Sequence, residues 1–452
     1  MARPVTNTAF EALLRAAGYG NAHAAFARQL NHAGRIHGAW RYDAASVYWW
    51  LRGRRPAEHV QDAMAKTFAR KLGRSVTAAE LGFTARNVTT NASYPRSPNH
   101  AVETAEQLWA MLAEQLSPQA TGAFQNDVAL HAALAWRYDL PDETVANSGR
   151  QPVTTADIDS LYALADHFTE LDRRHGGGSP RTRAIMIDLL TRQVSPMLRG
   201  NYTDATGRNL MRAVATLSGQ LAFMSYDAGN HPAAQRLLTV ALRLAKAADD
   251  RLYGAHLLAN LATQAVYLGH AQDAARLAEA AIDGAGRAPA AVRARLYTTA
   301  ASAYGGSGER RACQSALAKA ERALDRMDAG NCPRWASYFS AAHFAGAALR
   351  CLSDLRLCRQ ALRHAPSAVM LADQNARTRA LHTALIATIH ARAGDIDAAC
   401  DRGRELAGYA PGIHSARVAH RVHELITALT PHRAIPQVNG LLVHLPAGRT
   451  HN

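Results

Sequence analysis

The sequence lacks an apolar run long enough to cross a membrane. In a chain of 452 residues, the longest stretch without Asp, Glu, Lys or Arg is 252–272, and His, Asn and Gln side chains interrupt it. A membrane-spanning helix needs about 20 predominantly apolar residues, so this stretch predicts a buried helical hairpin. The first residues also lack the apolar segment of an export signal. We therefore expect no membrane partner and a cytoplasmic location.

Cysteine and lysine are scarce. The five Cys are odd in number and show no CxxC spacing, which argues against a disulfide framework or a zinc motif. We interpret them as small core residues in a reducing compartment, with a redox sensor as the alternative. Only four of the 51 basic residues are Lys, a bias that we attribute first to a GC-rich coding sequence.

Motifs for catalysis or nucleotide binding are also missing. There is no Walker loop, HExxH, GxSxG or Rossmann glycine pattern. The glycines at 176–178 are not followed by Lys and Ser or Thr in P-loop spacing, and we expect a flexible loop there. The 21 His are scattered, and capping or solvated roles explain them better than a metal site. We expect no enzyme, no cofactor and no metal.

Positive charge is abundant and unevenly distributed. The net charge is +15, and residues 1–86 carry 13 Lys plus Arg against five Asp plus Glu, a net +8. More than half of the excess thus lies in less than a fifth of the chain. Such an asymmetry predicts a small basic module with a polyanionic partner, joined to a larger, nearly balanced body.

Composition shifts divide the chain into five zones. These are a basic module at 1–86, a polar linker at 87–100, a helical connecting region at 101–200, a helical-repeat body at 201–430, and a cap or tail at 431–452. The repeats follow turn glycines. Gly269 comes 40 residues after Gly229, Gly308 comes 39 later, and Gly394 a further 86, about two periods. A glycine that ends one helix before a polar residue starts the next is typical of stacked antiparallel helices. The expected fold is all-α, and its body is an α-solenoid resembling tetratricopeptide repeats.

The basic module shows four helical patterns, at 8–17, 22–32, 44–52 and 57–72. The last has Val60, Met64, Phe68 and Leu72 at four-residue steps, which predicts one buried face. The third is preceded by Asp43, a capping residue, and its Trp50 is expected in the core.

The third helix ends in a cluster of arginines. Gly53 and Pro56 stop it and leave Arg52, Arg54 and Arg55 around one helix end. The planar guanidinium suits phosphates and base edges because it donates two parallel hydrogen bonds. A merely solvated basic loop is the alternative.

These motifs resemble a known family. Residues 21–83 are similar to the helix-turn-helix of Cro/repressor-like (xenobiotic-response-element type) proteins, and more closely to actinobacterial regulators with a tetratricopeptide-like body. The resemblance rests on Arg41-Tyr42-Asp43, Ser46-Val47, Trp50-Leu51-Arg52-Gly53 and Pro56, then Arg70-Lys71-Leu72-Gly73-Arg74, and in the body Met224-Ser225-Tyr226-Asp227-Ala228-Gly229-Asn230-His231. Such regulators are associated with development and secondary metabolism.

The resemblance implies a sequence-specific, DNA-binding transcriptional regulator with an N-terminal helix-turn-helix domain. The residues expected to contact double-stranded DNA are Arg41, Ser46, Tyr48, Trp49, Arg52, Arg54 and Arg55. Tyr48 and Trp49 fit either the core or a DNA-facing surface. The segment 32–42 is longer than in the short repressors, and Ala44 and Ala45 occupy positions where base-reading polar side chains are frequent.

The body is expected to form a homodimer, to sense a small-molecule or peptide effector, or to hold a protein partner in its groove. Asn260, Gln264 and Tyr267 are candidate groove residues because amides can hydrogen-bond a peptide backbone. Polar packing between helices is the alternative for them. For the whole protein, the alternative is a tetratricopeptide-type adaptor that does not bind DNA.

Overall fold

The computed structural model describes residues 7–33, 40–52, 54, 56, 58–73, 76, 80–81, 93–114, 124–371 and 375–445. The chain divides into two compact units, Met1–Asn91 and Ala92–Asn452. Both are helical in the described ranges, apart from the two-residue antiparallel strands β1 (Asn147–Ser148) and β2 (Asn201–Tyr202). The predicted all-α fold with a helical-repeat body is therefore confirmed.

The first unit contains four helices around one core. They are α1 (Thr8–Ala16), α2 (His23–Ala33), α3 (Ala44–Leu51) and α4 (Glu58–Leu72). Each contributes an aromatic side chain to the centre. Phe10 meets Phe26, Trp50 and Phe68 edge to face, with ring centroids 5.8–6.5 Å apart. The expected burial of Trp50 is confirmed, since it is 4% exposed.

Two polar side chains fix the start of α3. Asn31 on α2 donates from Nδ2 to the Tyr42 carbonyl at 2.8 Å and accepts from the Tyr42 N–H at 3.0 Å. Asp43 then caps α3 by accepting from the Ser46 N–H at 2.8 Å, as predicted. Part of the long segment between α2 and α3, residues 34–39, lies outside the described residues. The end of this segment, at Tyr42, is attached to α2, and this contact fixes the start of α3.

The second unit is a longer helical array. Its helices are α5 (Pro98–Glu114), α6 (Asn126–Tyr138), α7 (Thr155–His175), α8 (Pro180–Leu189), α9 (Ser195–Leu198), α10 (Asp204–Asp227), α11 (His231–Ala247), α12 (Arg251–Tyr267), α13 (Ala271–Ala285), α14 (Ala290–Gly306), α15 (Arg310–Leu324), α16 (Ala341–Asp354), α17 (Cys358–Leu362), α18 (Ala365–Ala368), α19 (Ala376–Arg392), α20 (Ile396–Tyr409), α21 (Ala416–Leu429) and α22 (Pro436–His444). A π-helical turn, Leu190–Val194, joins α8 to α9. Short 3₁₀ turns lie at Ala329–Asn331, Arg334–Ala336, Ala410–Gly412 and Thr430–His432.

Antiparallel helix pairs run from α10 to α21. The turns within pairs contain Gly229, Gly269, Gly308 and Gly394, all with φ between 80° and 86°. A fifth such turn, between α16 and α17, has Arg356 in the left-handed position with φ 61°. This turn explains why the predicted glycine spacing skipped one period.

The first helix of each pair faces inward, and the array closes on itself. Helix α7 packs against both α10 and α19. The loop after α7 pairs with the segment before α21, because the Gly178 N–H donates to the His414 carbonyl and the His414 N–H to the His175 carbonyl, both at 2.8 Å. The prediction of a flexible loop at 176–178 is therefore wrong, because backbone hydrogen bonds hold this loop in place. A Cβ at Gly176 would lie 2.3 Å from the His414 carbonyl oxygen, so the glycines permit a tight backbone contact.

Both flanks of the body differ from a simple linker and tail. Within the expected linker 87–100, Tyr94 is 6% exposed and α5 starts at Pro98. The buried Arg243 of α11 donates from Nε to the Pro95 carbonyl at 3.0 Å. At the other end α22 packs on α20 and acts as a cap. In the ranges that the structure describes, no helix has both the length and the apolarity to cross a bilayer.

Candidate functional site

Helix α3 presents a mixed aromatic and cationic surface. Val47, Trp50 and Leu51 face the core, whereas Tyr48 and Trp49 are 36% and 41% exposed. They are the only large apolar side chains so exposed in the described part of the first unit. The core is thus excluded for these two residues, and their contact with DNA stays a prediction.

The predicted DNA-contacting arginines lie at both ends of this surface. Arg41 precedes α3, and Arg54 follows it, both exposed. The Arg52 guanidinium lies over the Tyr48 ring, 3.4 Å from its centroid, and donates to the Tyr48 carbonyl at 3.1 Å. Arg55 lies outside the described residues.

Ser46 has a local role. Its hydroxyl donates to Asp43 Oδ1 at 2.8 Å and accepts from the Asp43 N–H at 3.3 Å, which completes a capping box. The hydrogen bonds from Ser46 lower the pKa of Asp43, so a carboxylate occupies the amino end of α3. The positively charged side chains that could bind a polyanion are therefore concentrated at the carboxyl end of α3, at Arg52 and Arg54.

The second unit contains a half-open cavity of about 850 Å³. Its wall is formed by α7, the inner helices α10, α12, α14, α16, α19 and α21, and the segment 334–339. The volume lies within the usual range for small-molecule sites. Seven arginines but only three acidic residues line it.

The three predicted groove residues separate into two groups. Asn260 and Tyr267 line the cavity. Gln264 is fully buried beside it and donates from Nε2 to the His231 carbonyl of α11 at 2.8 Å. The groove assignment therefore fails for Gln264, which joins two helices, as the packing alternative predicted.

One end of the cavity is neutralised by ion pairs. Asp172 on α7 pairs with Arg377 on α19 at 2.5 Å, and Asp227 at the end of α10 pairs with Arg417 on α21 at 2.6 Å. Both guanidiniums also lie over the Phe223 ring, 5.0 and 5.1 Å from its centroid. These pairs join the first helices of the body to the last and so close the array.

The two carboxyl groups titrate differently. Burial raises the pKa of Asp227, but Arg417, Arg377 and the Gly177 N–H outweigh that effect, and its pKa falls below the ordinary value. Burial dominates at Asp172, and the neighbouring Asp227 charge adds to it, so the pKa of Asp172 is raised despite Arg377.

The other end of the cavity is built around Tyr338. Arg295 on α14 donates from Nε to the Tyr338 hydroxyl at 2.9 Å and from Nη2 to Asn260 Oδ1 at 3.1 Å, and Nη1 contacts the Thr299 hydroxyl. The Arg173 guanidinium of α7 lies over the Tyr338 ring, 5.7 Å from its centroid. Within the described ranges neither Arg295 nor Arg173 has a carboxylate partner.

Neutral histidines line this end as well. Burial, with smaller contributions from His382, Arg173, Arg377 and Arg295 in that order, lowers the pKa of His343 to about 3. Burial, with Arg295 behind it, also lowers the pKa of His256 to about 3. The His256 ring lies 4.7 Å from Trp335, centroid to centroid, and its buried Nδ1 has no hydrogen-bond partner in the structure.

The sequence reasoning did not single out the cavity arginines. One signal was present, because Arg377 and Arg417 are 40 residues apart, which is the Gly229–Gly269 spacing. Equivalent positions of a repeat face the same side of a solenoid, so the pair could have been placed on the inner face. No such signal exists for Tyr338, which lies outside the helices.

Comparison with known proteins adds one match. Residues 10–84 match the family described as the SP15 N-terminal domain. This segment contains the four helices α1–α4 of the first unit, except for the first residues of α1. No curated protein matches the chain.

Proposed function

We propose that the protein is a transcriptional regulator of the helix-turn-helix, Cro/repressor-like type that binds double-stranded DNA through α3 and the arginines that follow it. Arg41, Tyr48, Trp49, Arg52, Arg54 and Arg55 form the contact surface, and the helical-repeat body dimerises or senses an effector. The resemblance to actinobacterial regulators favours control of development or secondary metabolism as the process, in the cytoplasm.

The observation that carries this proposal is the exposed face of α3. Exposing two large aromatic side chains to water is energetically unfavourable, and such an exposed apolar patch usually marks a contact site. Arginines flank them in the part of the chain that holds a net +8. Guanidinium groups next to flat rings suit phosphates and unpaired or groove-facing base edges.

The test is a DNA-binding titration with the full-length protein. Chromatin immunoprecipitation with sequencing supplies the duplexes, and fluorescence anisotropy measures Kd at several salt concentrations. We expect Arg52, Arg54 and Arg55→Ala to weaken binding, and each lost phosphate contact to flatten the dependence of log Kd on log salt by about one unit.

A matched control removes the same charge elsewhere. Arg310, Arg311 and Arg322 are exposed on α15 of the body, and their replacement by Ala should leave the salt slope unchanged. An unchanged affinity and slope in the α3 variant would refute the role of these arginines.

The adaptor hypothesis makes a different prediction. If the chain is an adaptor, deleting residues 1–86 leaves partner binding and the cellular phenotype intact, and immunoprecipitated chromatin shows no discrete sites. If the regulator proposal holds, the same deletion abolishes chromatin enrichment.

A further inference from the structure

The cavity of the second unit has a charge imbalance that its own residues do not satisfy. Each acidic residue that lines the cavity forms an ion pair with an arginine: Asp166 with Arg334, Glu170 with Arg174, and Asp172 with Arg377. Five other arginines line the cavity. Three of them have carboxylate neighbours that do not line it: Arg417 pairs with Asp227, Arg421 pairs with Glu424, and Arg350 lies near Asp354. Arg173 and Arg295 are left, and both lie against Tyr338.

Arg295 is held ready for an anion. Of its five N–H groups, one on Nε, one on Nη1 and one on Nη2 are used by Tyr338, Thr299 and Asn260. One N–H on each terminal nitrogen therefore has no acceptor among the described residues. Two such donors can each bind an oxygen of a carboxylate or phosphate. All three neighbours that hold the guanidinium are neutral, so its charge remains available.

Flat rings lie next to this fork. Trp335 lies 4.7 Å from His256 and 5.6 Å from Tyr253, centroid to centroid, and all three line the cavity. His256 adds an unpartnered, buried Nδ1. Apolar faces with a few fixed polar atoms are the usual lining of a small-molecule site.

We propose that this cavity binds a small molecule that carries one anionic group, a carboxylate or a phosphate, on a planar ring system. Arg295 and Arg173 hold the anion beside Tyr338, and Trp335 and His256 contact the ring. The inference rests on the effector-sensing part of the proposed function and is independent of DNA binding.

His343 packs on Tyr338, 5.3 Å apart between ring centroids, and its pKa is lowered chiefly by burial, with smaller contributions from His382, Arg173, Arg377 and Arg295. Asp172 and Asp227 pair with Arg377 and Arg417, so we place the anion at the Tyr338 end, where Arg173 and Arg295 have no carboxylate partner among the described residues.

The test uses two fluorescent probes with the same rings. 1-Anilinonaphthalene-8-sulfonate carries an anion, whereas N-phenyl-1-naphthylamine is neutral. We expect saturable binding of one sulfonate probe per full-length chain, with at least about a tenfold preference over the neutral probe, equivalent to about 1.4 kcal/mol. Arg295→Gln should reduce that preference, because Arg173 then holds the anion alone.

Controls separate the site from general effects. Arg293→Gln changes an exposed arginine on the same helix and should alter neither probe. If Arg295→Gln lowers the melting temperature, Arg173→Gln takes its place, because the described residues give Arg173 no hydrogen bond that a fold would lose. Equal affinity for the two probes, or an unchanged preference in both variants, overturns the proposal.

Competition identifies the anion. Benzoate or phenyl phosphate should displace the sulfonate probe, and benzyl alcohol should not. Displacement by one of the two anions supports the site and names the preferred group. Displacement by neither, or equally by benzyl alcohol, overturns it. Because no DNA is present, this result is distinguishable from failure of the DNA-binding proposal.

Discussion

Asp227→Asn should open the closed helical array. Asp227 has no exposed surface, and its carboxylate joins three segments. It accepts from the Gly177 N–H at 2.9 Å, the Ser415 hydroxyl at 2.9 Å and Arg417 Nε at 2.6 Å, and Arg377 lies at 3.8 Å. An amide at this position retains the volume but loses the charge, and its NH₂ group faces a donor.

The magnitude follows from the buried guanidinium left behind. Removing one partner of a buried ion pair typically costs about 3–5 kcal/mol, because the other charge stays desolvated. Asp172 cannot replace the lost charge, since Arg377 already holds it. The closure of the array should therefore weaken by roughly that amount, whereas the helices distant from it keep their contacts.

Hydrogen exchange measured by mass spectrometry reports the opening locally. At about 1.4 kcal/mol for each factor of ten, amides near the end of α10 and the start of α21 should exchange roughly 140- to 4,000-fold faster. The control is Asp188→Asn, which breaks the exposed pair between Asp188 on α8 and Arg192 on the following π-helical turn, 2.6 Å apart. Such pairs are worth about 0–1 kcal/mol. A change for Asp227→Asn no larger than this control would refute the reasoning.

Two further predictions concern stability. The pKa of His256 and of His343 is about 3 in the folded chain, against 6.5 without burial. Because the unfolded chain takes up protons first, their contribution is fully present above about pH 6.5 and is lost as the pH falls from there towards about 3, with a slope of up to about 1.4 kcal/mol per pH unit for each group. Thermal unfolding between pH 7.5 and 5 should show a smaller loss for His343→Gln than for the unaltered protein, and equal losses would contradict the assignment. Gly284→Ala should destabilise the body by about 1–3 kcal/mol, since its Cβ would lie 2.1 Å from the Trp136 ring of α6. Gly408→Ala on α20, where nothing lies within 4 Å, should instead stabilise it by about 0.5–1 kcal/mol, and denaturant titrations that give both variants the same sign would contradict this packing.

Local signals predicted the helices well because their causes are local. Asp43 caps α3 through atoms within three residues, and the turn glycines adopt the left-handed conformation that ends a helix. Arg356 shows the limit of this reasoning. Its N–H reaches the Ser353 carbonyl at 2.9 Å and the next N–H reaches Leu352 at 2.8 Å, the same turn as at Gly229. A non-glycine residue forms it at a strain of about 1–2 kcal/mol, so the repeat carries no glycine signal there.

The groove residues show the same limit at the level of a single helix. With 3.6 residues per turn, Gln264 is rotated by about 40° from Asn260 around α12, whereas Tyr267 returns to within about 20° of it on the other side. A periodic pattern places all three on one face. Only the position of α11, whose His231 carbonyl takes the Gln264 amide, decides that the cavity ends before Gln264.

The closure of the array could not have been predicted because its contacts are remote in sequence. Asp172 and Arg377 are 205 residues apart, and Asp227 and Arg417 are 190 apart. No periodicity relates an acid on one helix to a base that far away. The three glycines at 176–178 are the sequence feature that accompanies this contact, but a run of glycines is equally typical of a mobile loop.

Closure and the proposed ligand site share helix α7, and this connection would couple the binding of an effector to closure if the proposed site is occupied. Asp172 and Arg173 are consecutive, and they face the two ends of the cavity: Asp172 binds Arg377 across the closure, whereas Arg173 lies at Tyr338. A ligand shifts a conformational equilibrium only by its differential affinity for the two states. An anion held jointly by Arg173 of α7 and Arg295 of α14 would lose one of its two cations if α7 moved away. It would therefore bind the closed array more tightly than an open one, and Asp227, by stabilising closure, would reduce the free-energy cost of reaching the state that the ligand binds.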